Sequence, residues 1–273
     1  MNDVLELRQV SRDFSHGIFH SHCNRVVDNV SFSLERGKTF GLVGGSGCGK
    51  TTLARMIAGL LPPTSGRILF EGQDTAVLNR GERMQYHRRL QMVFQNPEAS
   101  LDPTMRIQDS LLEALEIHRI GQGREERMER IRQTLAQVAL PEYLLSRYPH
   151  QISGGEGQRL VICRALLLEP EILLLDEPTS MLDVSVQAHI MNILRNLQEK
   201  LGLTYLFITH DIELLGWISH TIGVMQKGKL VEVGSREQIM NTPQHPYTQE
   251  LLHAFWDWDN EGYYETTRTI SGL

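Results

Sequence analysis

The run Gly44-Gly45-Ser46-Gly47-Cys48-Gly49-Lys50-Thr51 matches the pattern G-x-x-x-x-G-K-[ST]. Glycines at this density let backbone N–H groups converge on anionic oxygens without side-chain clash. Lys50 can reach terminal phosphates, and the Thr51 hydroxyl can ligate a cation such as Mg2+. A second locus lies at residues 172–177, ILLLDE, where an apolar run breaks into Asp176 and Glu177. Two adjacent carboxylates at a strand end are costly unless they hold a metal or move a proton. Asp176 suits the cation side of a phosphate site. Glu177, aimed at a different angle, suits taking a proton from an attacking water.

The surrounding pattern supplies elements to position these groups. Apolar runs at residues 4–10, 26–34, 39–43, 65–71, 91–94, 172–175 and 204–209 predict strands, and residues 221–225 and 229–233 predict a hairpin around Lys227-Gly228. Helical spacing predicts helices over 51–60, 107–117, 125–138, 184–200 and 247–255, with another starting at Ile212. Strands alternating with helices predict a mostly parallel α/β sheet, whose ligands gather outside the carboxyl ends of the strands. Residues 44–51, the pair Asp176-Glu177 and the pair His210-Asp211 each follow a strand directly, so all three are expected at one sheet edge. Gln95 follows a fourth strand. Residues 104–147 carry no strong strand signal and read as a helical insert. After it, the turn Ser153-Gly154-Gly155 opens a helical run that ends at Pro170.

Composition bounds the function. The chain has 273 residues, 41% hydrophobic and 22% charged, with a mean hydropathy of −0.26, values ordinary for a globular protein with a sizeable core. A formal net charge of −6 argues against nucleic-acid binding. No apolar run reaches the roughly 18–20 residues of a membrane span, and the N-terminal residues lack the features of a signal peptide. Three scattered cysteines, Cys23, Cys48 and Cys163, argue for a reducing cytosol rather than a disulfide framework. The tract of residues 15–23 holds His16, His20, His22 and Cys23. These are plausible metal ligands, but their spacing defines no coordination geometry, so the tract reads as a solvated loop.

The phosphate loop, Gln95, Ser153-Gly154-Gly155-Glu156, residues 172–177, residues 180–183 and His210 occur in the order and approximate spacing of the ATP-binding cassette (ABC) ATPases. The resemblance covers nearly the whole chain. It implies an α/β fold: a P-loop NTPase (RecA-like) core with an antiparallel β subdomain, a helical subdomain insert and a short C-terminal extension. The expected divisions are 1–95 with 158–235 for the core, 96–157 for the helical subdomain and 236–273 for the extension. The implied cofactors are ATP and Mg2+, the latter at Thr51, Gln95 and, through water, Asp176. The resemblance extends the loop's nucleotide contacts to Thr52. By the same resemblance Phe14 stacks on adenine and Gln95 senses the membrane partner. Lys50, Gln95, Glu177 and His210 serve hydrolysis. Ser153, Gly154, Gly155 and Glu156 contact the γ-phosphate held by an opposite subunit, and Asp183 bridges the two subunits. Relative to the common LSGGQ signature, Ile152 replaces Leu and Glu156 replaces Gln. A carboxylate near phosphate is unfavourable by Coulomb's law, a cost that is small if Glu156 points away from ATP; with a different partner cassette, Glu156 would mark one of two inequivalent ATP sites.

Residues 182–188 and 244–252 are similar to the peptide/nickel importer branch of this family, as are residues 92–103, the segment that faces the membrane subunit. The implied partners are a second, different cassette chain in a head-to-tail dimer, two transmembrane permease subunits and an extracytoplasmic substrate-binding protein. The implied location is the cytoplasmic face of the inner membrane. The substrate is expected to be a peptide, nickel or a metal chelate. The absence of cysteine after Cys163 argues against the C-terminal iron–sulfur cluster of some members. The competing reading, a soluble cassette ATPase acting on nucleic acid or the ribosome, predicts an inserted coiled coil, a zinc motif or tandem cassettes. The sequence offers none of these.

Overall fold

The computed structural model describes residues 3–16, 22–97, 100–180 and 182–259. Two long strands, β1 (Asp3–His16) and β2 (His22–Glu35), pair antiparallel, and β3 (Thr39–Val43) leads through the phosphate loop into α1 (Lys50–Ile57). Next come β4 (Ser65–Phe70), β5 (Gln73–Asp74), α2 (Arg80–Arg89) and β6 (Leu90–Val93). A helical stretch holds α3 (Ile107–Ile117), α4 (Arg124–Gln137) and the start of α5 (Gly154–Leu166). The chain then alternates through β7 (Ile172–Asp176), α6 (Val184–Leu201), β8 (Thr204–Thr209), α7 (Ile212–Ile218), β9 (Thr221–Gln226), β10 (Lys229–Ser235), α8 (Arg236–Asn241) and α9 (Pro246–Asp259).

The strands form two sheets, one ordered β2-β1-β4-β5 and the other β10-β9-β3-β8-β7-β6. The first is antiparallel throughout. In the second, every pairing from β9 to β6 is parallel and only the edge strand β10 runs antiparallel. The expected parallel sheet is therefore present, with an antiparallel hairpin closing one edge. That hairpin turns at Lys227 and Gly228 with φ of 47° and 84°, the paired left-handed geometry of a tight hairpin turn.

Alternation along the central strands explains why this sheet is buried on both faces. In β7, Leu173 and Leu175 enter one apolar cluster and Ile172 and Leu174 the other; in β8, Tyr205 and Phe207 oppose Leu206 and Ile208. One cluster joins the sheet to α1 and the antiparallel sheet, and the other joins it to α5, α6 and the helical stretch. Each fully buried Leu or Ile here contributes roughly 1.5–3 kcal/mol of transfer free energy. The two cores thereby fix the carboxyl ends of β3, β8, β7 and β6 as one rigid edge.

Three of the departures from sequence expectation have a clear physical reason. Strands β1 and β2 run beyond the expected 4–10 and 26–34 because polar pairs extend the hairpin: Arg25 Nε donates to Asp13 Oδ1 at 2.8 Å. Helix α2 occupies a stretch that reads as merely polar. It has no apolar stripe and is held by a capping box between Asn79 and Glu82 and by one buried side chain, Tyr86. Helix α8 is likewise a short element held by a capping box, between Ser235 and Gln238. No helix among the described residues is long and apolar enough to cross a membrane.

Candidate active site

All residues of β3 are buried, and the strand delivers the loop to the N-terminus of α1. Gly49 caps that helix with φ 107°, and among the described residues no side chain caps its first N–H groups, so they are available to an anion. A Cβ at Gly49 would lie 2.5 Å from the Val26 carbonyl oxygen, which excludes any other residue there. The β9–β10 turn backs the loop: Gly228 N–H donates to the Cys48 carbonyl at 3.0 Å. Lys50 is only 6% exposed, and its Nζ donates to the carbonyls of Gly44 at 2.6 Å and Gly45 at 3.2 Å, with Cys48 Sγ at 3.8 Å. These acceptors are neutral, so the buried ammonium is poised for an incoming anion.

The carboxylate pair stands at the same edge. Register places Val43 beside Thr209, Ile208 beside Asp176 and Leu175 beside Val93, so four strands end together. Asp176 is 3% exposed and accepts from Thr51 Oγ1 at 3.2 Å. Burial pushes its carboxyl above the usual range, and the neighbouring Glu177 charge adds to the rise. Glu177 adopts φ 48°, an uncommon conformation for a residue with a Cβ, while its N–H donates to Ile208 O at 2.8 Å. Glu177 Oε2 accepts from Gln95 Nε2 at 3.0 Å and lies 3.4 Å from His210 Nδ1. Residues following three different strands thus meet at one carboxylate oxygen.

The remaining expected residues occupy other parts of the molecule. Phe14 lies near the end of β1, half-buried, with the Arg12 guanidinium 4.8 Å from its ring centre. Thr52 is half-buried in the first turn of α1. Ser153 caps α5 in a reciprocal capping box with Glu156, and Asp183 caps α6 by accepting from Val186 N–H at 2.9 Å. Gly155 packs against α6 so closely that a Cβ would meet Val186 Cγ1 at 2.6 Å. Among the described residues, no hydrogen bond joins Ser153, Glu156 or Asp183 to the phosphate loop or to Asp176 and Glu177. A cleft of about 260 Å³ opens between Gln95, Pro97 and Leu101 on one side and Ile152, Ser153 and Gly154 on the other.

In the histidine tract, the backbones of His16 and His22 pair across the β1–β2 hairpin, Cys23 is an exposed free thiol, and His20 lies outside the described residues. No group of three potential metal ligands occurs among the described residues. One contact escaped sequence reasoning. Tyr247 of α9, expected only on a C-terminal helix, brings its hydroxyl to the phosphate loop and accepts from Gly45 N–H at 3.0 Å.

Comparison with known proteins agrees with this geometry. Residues 27–180 match the family model described as ABC transporter, and residues 231–272 match that of the oligopeptide/dipeptide transporter C-terminal region. The chain is 48% identical over 230 residues to a putative peptide import ATP-binding protein of Brucella ovis, covering 84% of this chain and 72% of the relative. It is 45% identical over 231 residues to the oligopeptide transport ATP-binding protein OppF of Bacillus subtilis, covering 84% and 76%. Among solved structures, the dimeric post-hydrolysis state of the ATP-binding cassette MJ0796 bound to ADP and Pi is similar with a TM-score of 0.76 at 29% identity. That likeness covers 85% of this chain and 98% of the other.

Proposed function

The chain belongs to the ABC transporter family of ATPases, and we propose that it powers the import of peptides through membrane partner subunits. The observation that carries the catalytic part is the meeting of Gln95, Glu177 and His210 at Glu177 Oε2. In this reading the phosphate loop and Lys50 bind the ATP phosphates. A water held between Glu177 and His210 attacks the γ-phosphorus while the bond to the bridging β–γ oxygen breaks. Glu177 accepts the water's proton, ADP carries away the bridging oxygen, and inorganic phosphate forms. Phe14 supports the base of the nucleotide.

The donor set also suits Mg2+. Thr51 Oγ1 and Asp176 Oδ1 lie 3.2 Å apart, and hard oxygen donors of this kind, with Gln95 nearby, are what that ion takes. Mg2+ held there would supply charge neutralisation of the terminal phosphates. Asp176, Thr51 and Gln95 orient the site around it.

Among the described residues, Ser153, Gly154, Gly155, Glu156 and Asp183 make no bond to the chain's own phosphate loop, which fits a role toward ATP held by a second cassette. The two helix starts that Ser153 and Asp183 cap offer backbone N–H groups for that role. The proposed assembly is a cassette dimer, most simply with a different chain, on two permeases at the cytoplasmic membrane face, fed by an extracytoplasmic binding protein. In it, the cleft beside Gln95 receives a permease segment, which links membrane motion to Glu177. The proposed division into core, helical subdomain over 96–157 and C-terminal extension follows the same logic.

Peptide is favoured over nickel or a metal chelate because both the C-terminal family match and the relatives' names refer to peptides. The test is reconstitution of the chain with co-purified membrane partners in vesicles. ATP-dependent uptake of a labelled oligopeptide is expected, and uptake of nickel without peptide uptake would sink the substrate assignment.

A further inference from the structure

The peptide unit joining Gly44 to Gly45 is gripped from both sides. Its carbonyl accepts from Lys50 Nζ at 2.6 Å, and its N–H donates to the Tyr247 hydroxyl at 3.0 Å. In a trans peptide these two groups point in opposite directions in one plane, so the two contacts hold a single rigid unit across its width. Donation to the carbonyl also polarises the N–H, so each bond strengthens the other.

The segment carrying Tyr247 is itself tied down. Glu232 of β10 accepts from Gln244 N–H at 2.7 Å and from His245 N–H at 3.0 Å, and His245 Nδ1 accepts from Tyr247 N–H at 3.2 Å. Further along α9, Leu252 is 3% exposed and joins the core cluster, with Tyr247 and Leu251 packed against it. A path of hydrogen bonds thus runs from the edge strand through the start of α9 to the phosphate loop.

An ammonium has three donors. Two of those on Lys50 go to the carbonyls of Gly44 and Gly45, and among the described residues the third faces only Cys48 Sγ at 3.8 Å. A phosphate oxygen can take that third donor while the two carbonyl bonds persist. The direction in which Lys50 presents its charge therefore depends on where the Gly44 carbonyl points, and Tyr247 controls that from the opposite side of the peptide. We propose that Tyr247 is a positioning residue for ATP binding, acting through the Gly44–Gly45 peptide to hold Lys50 aimed at the terminal phosphates.

This rests on the chain's reading as an ATPase, and the test separates the two. Tyr247→Phe keeps the ring and its packing and deletes only the hydroxyl. ATP binding to the full chain is measured by calorimetry, ATP dependence of hydrolysis in the assembled complex, and melting of the nucleotide-free chain by scanning. Loss of one hydrogen bond predicts a dissociation constant and KM for ATP raised about three- to tenfold. The kcat should stay within about twofold, and the nucleotide-free melting midpoint should fall by no more than the roughly 2–4 °C that one lost hydrogen bond costs. Unchanged ATP affinity and KM would overturn the proposal, as would a KM increase matched by a large fall in melting midpoint, which marks general destabilisation. If the parent chain bound no ATP, the ATPase reading would fall together with the inference.

Discussion

The Glu156 carboxylate turns back onto Ser153. Its Oε2 accepts both Ser153 N–H and Ser153 Oγ–H at 2.8 Å, while Ser153 Oγ accepts Glu156 N–H at 3.3 Å. The backbone bond from Ser153, and then its hydroxyl, hold the Glu156 carboxyl below the usual range, so it is ionised at neutral pH. The carboxylate therefore works as a helix cap, not as a group aimed outward at phosphate, but it claims the serine hydroxyl's proton.

Glu156→Gln tests what this arrangement costs. The amide oxygen can still accept Ser153 N–H, so the cap survives, while one negative charge leaves the face offered to a partner's ATP. The expected outcome is a lower KM for ATP in the assembled complex, by about threefold, an effect that shrinks with added salt. ATP dependence of hydrolysis at two ionic strengths measures it. A raised KM would show that the carboxylate helps rather than hinders.

Glu177→Gln addresses the base. The substituted amide keeps the shape of the side chain and can still meet Gln95 and His210, but it cannot take a proton from water. Turnover is expected to fall by at least about 100-fold while the dissociation constant for ATP changes little. Single-turnover hydrolysis and equilibrium binding on the same preparation separate the two, and retained turnover would remove Glu177 from the role.

Asp176 is costly in the absence of ligand. Its folded carboxyl titrates above the unfolded one, chiefly through burial, so its contribution to stability is complete below the unfolded pKa of about 3.9 and is lost as pH rises through the folded value. At neutral pH the ionised group therefore weakens the nucleotide-free chain. Asp176→Asn is expected to raise the nucleotide-free melting midpoint by about 2 °C at pH 7, with a gap that closes toward about pH 4, and to impair Mg2+-dependent hydrolysis. A melting series against pH checks the sign.

The ligand edge was legible because strand ends announce themselves in apolar runs that stop at polar groups. Thr39–Val43 and Thr204–Thr209 appear where the pattern places them; Asp176 is the last residue of its strand, and Glu177, His210 and Gln95 follow theirs. Helix α2 was not legible, since Asn79 and Glu82 hold its start and only Tyr86 is buried, so no apolar stripe marks it. The Tyr247 contact was out of reach for another reason: 202 residues separate it from Gly45, and no local pattern reports a long-range hydrogen bond. The direction of Glu156, by contrast, had a local signal that went unused: its spacing three residues after Ser153 is that of a capping box.

The same sheet polarity that gathers the chemistry at one edge leaves the other edge to stability alone, and Glu171 tests the separation. It stands just before β7, at the opposite end from Asp176. There it pairs with Arg89 Nε at 2.5 Å and with Arg36, while Glu71 binds the same two arginines at 2.7 and 2.6 Å. Burial works to raise the Glu171 carboxyl, but the bonds from Arg89 and Arg36 outweigh it and hold it low. The stability it contributes is thus present above the unfolded pKa and lost as pH falls through the folded value. Arg36 is 44% exposed, so solvent screening keeps each pair weak, and only their closure into a four-membered network justifies an effect of about 1 kcal/mol. Glu171→Gln is expected to lower the melting midpoint by about 2–4 °C at neutral pH and less in high salt or acid, with the KM for ATP and turnover unchanged. A shift in KM would mean that the two sheet edges are mechanically coupled.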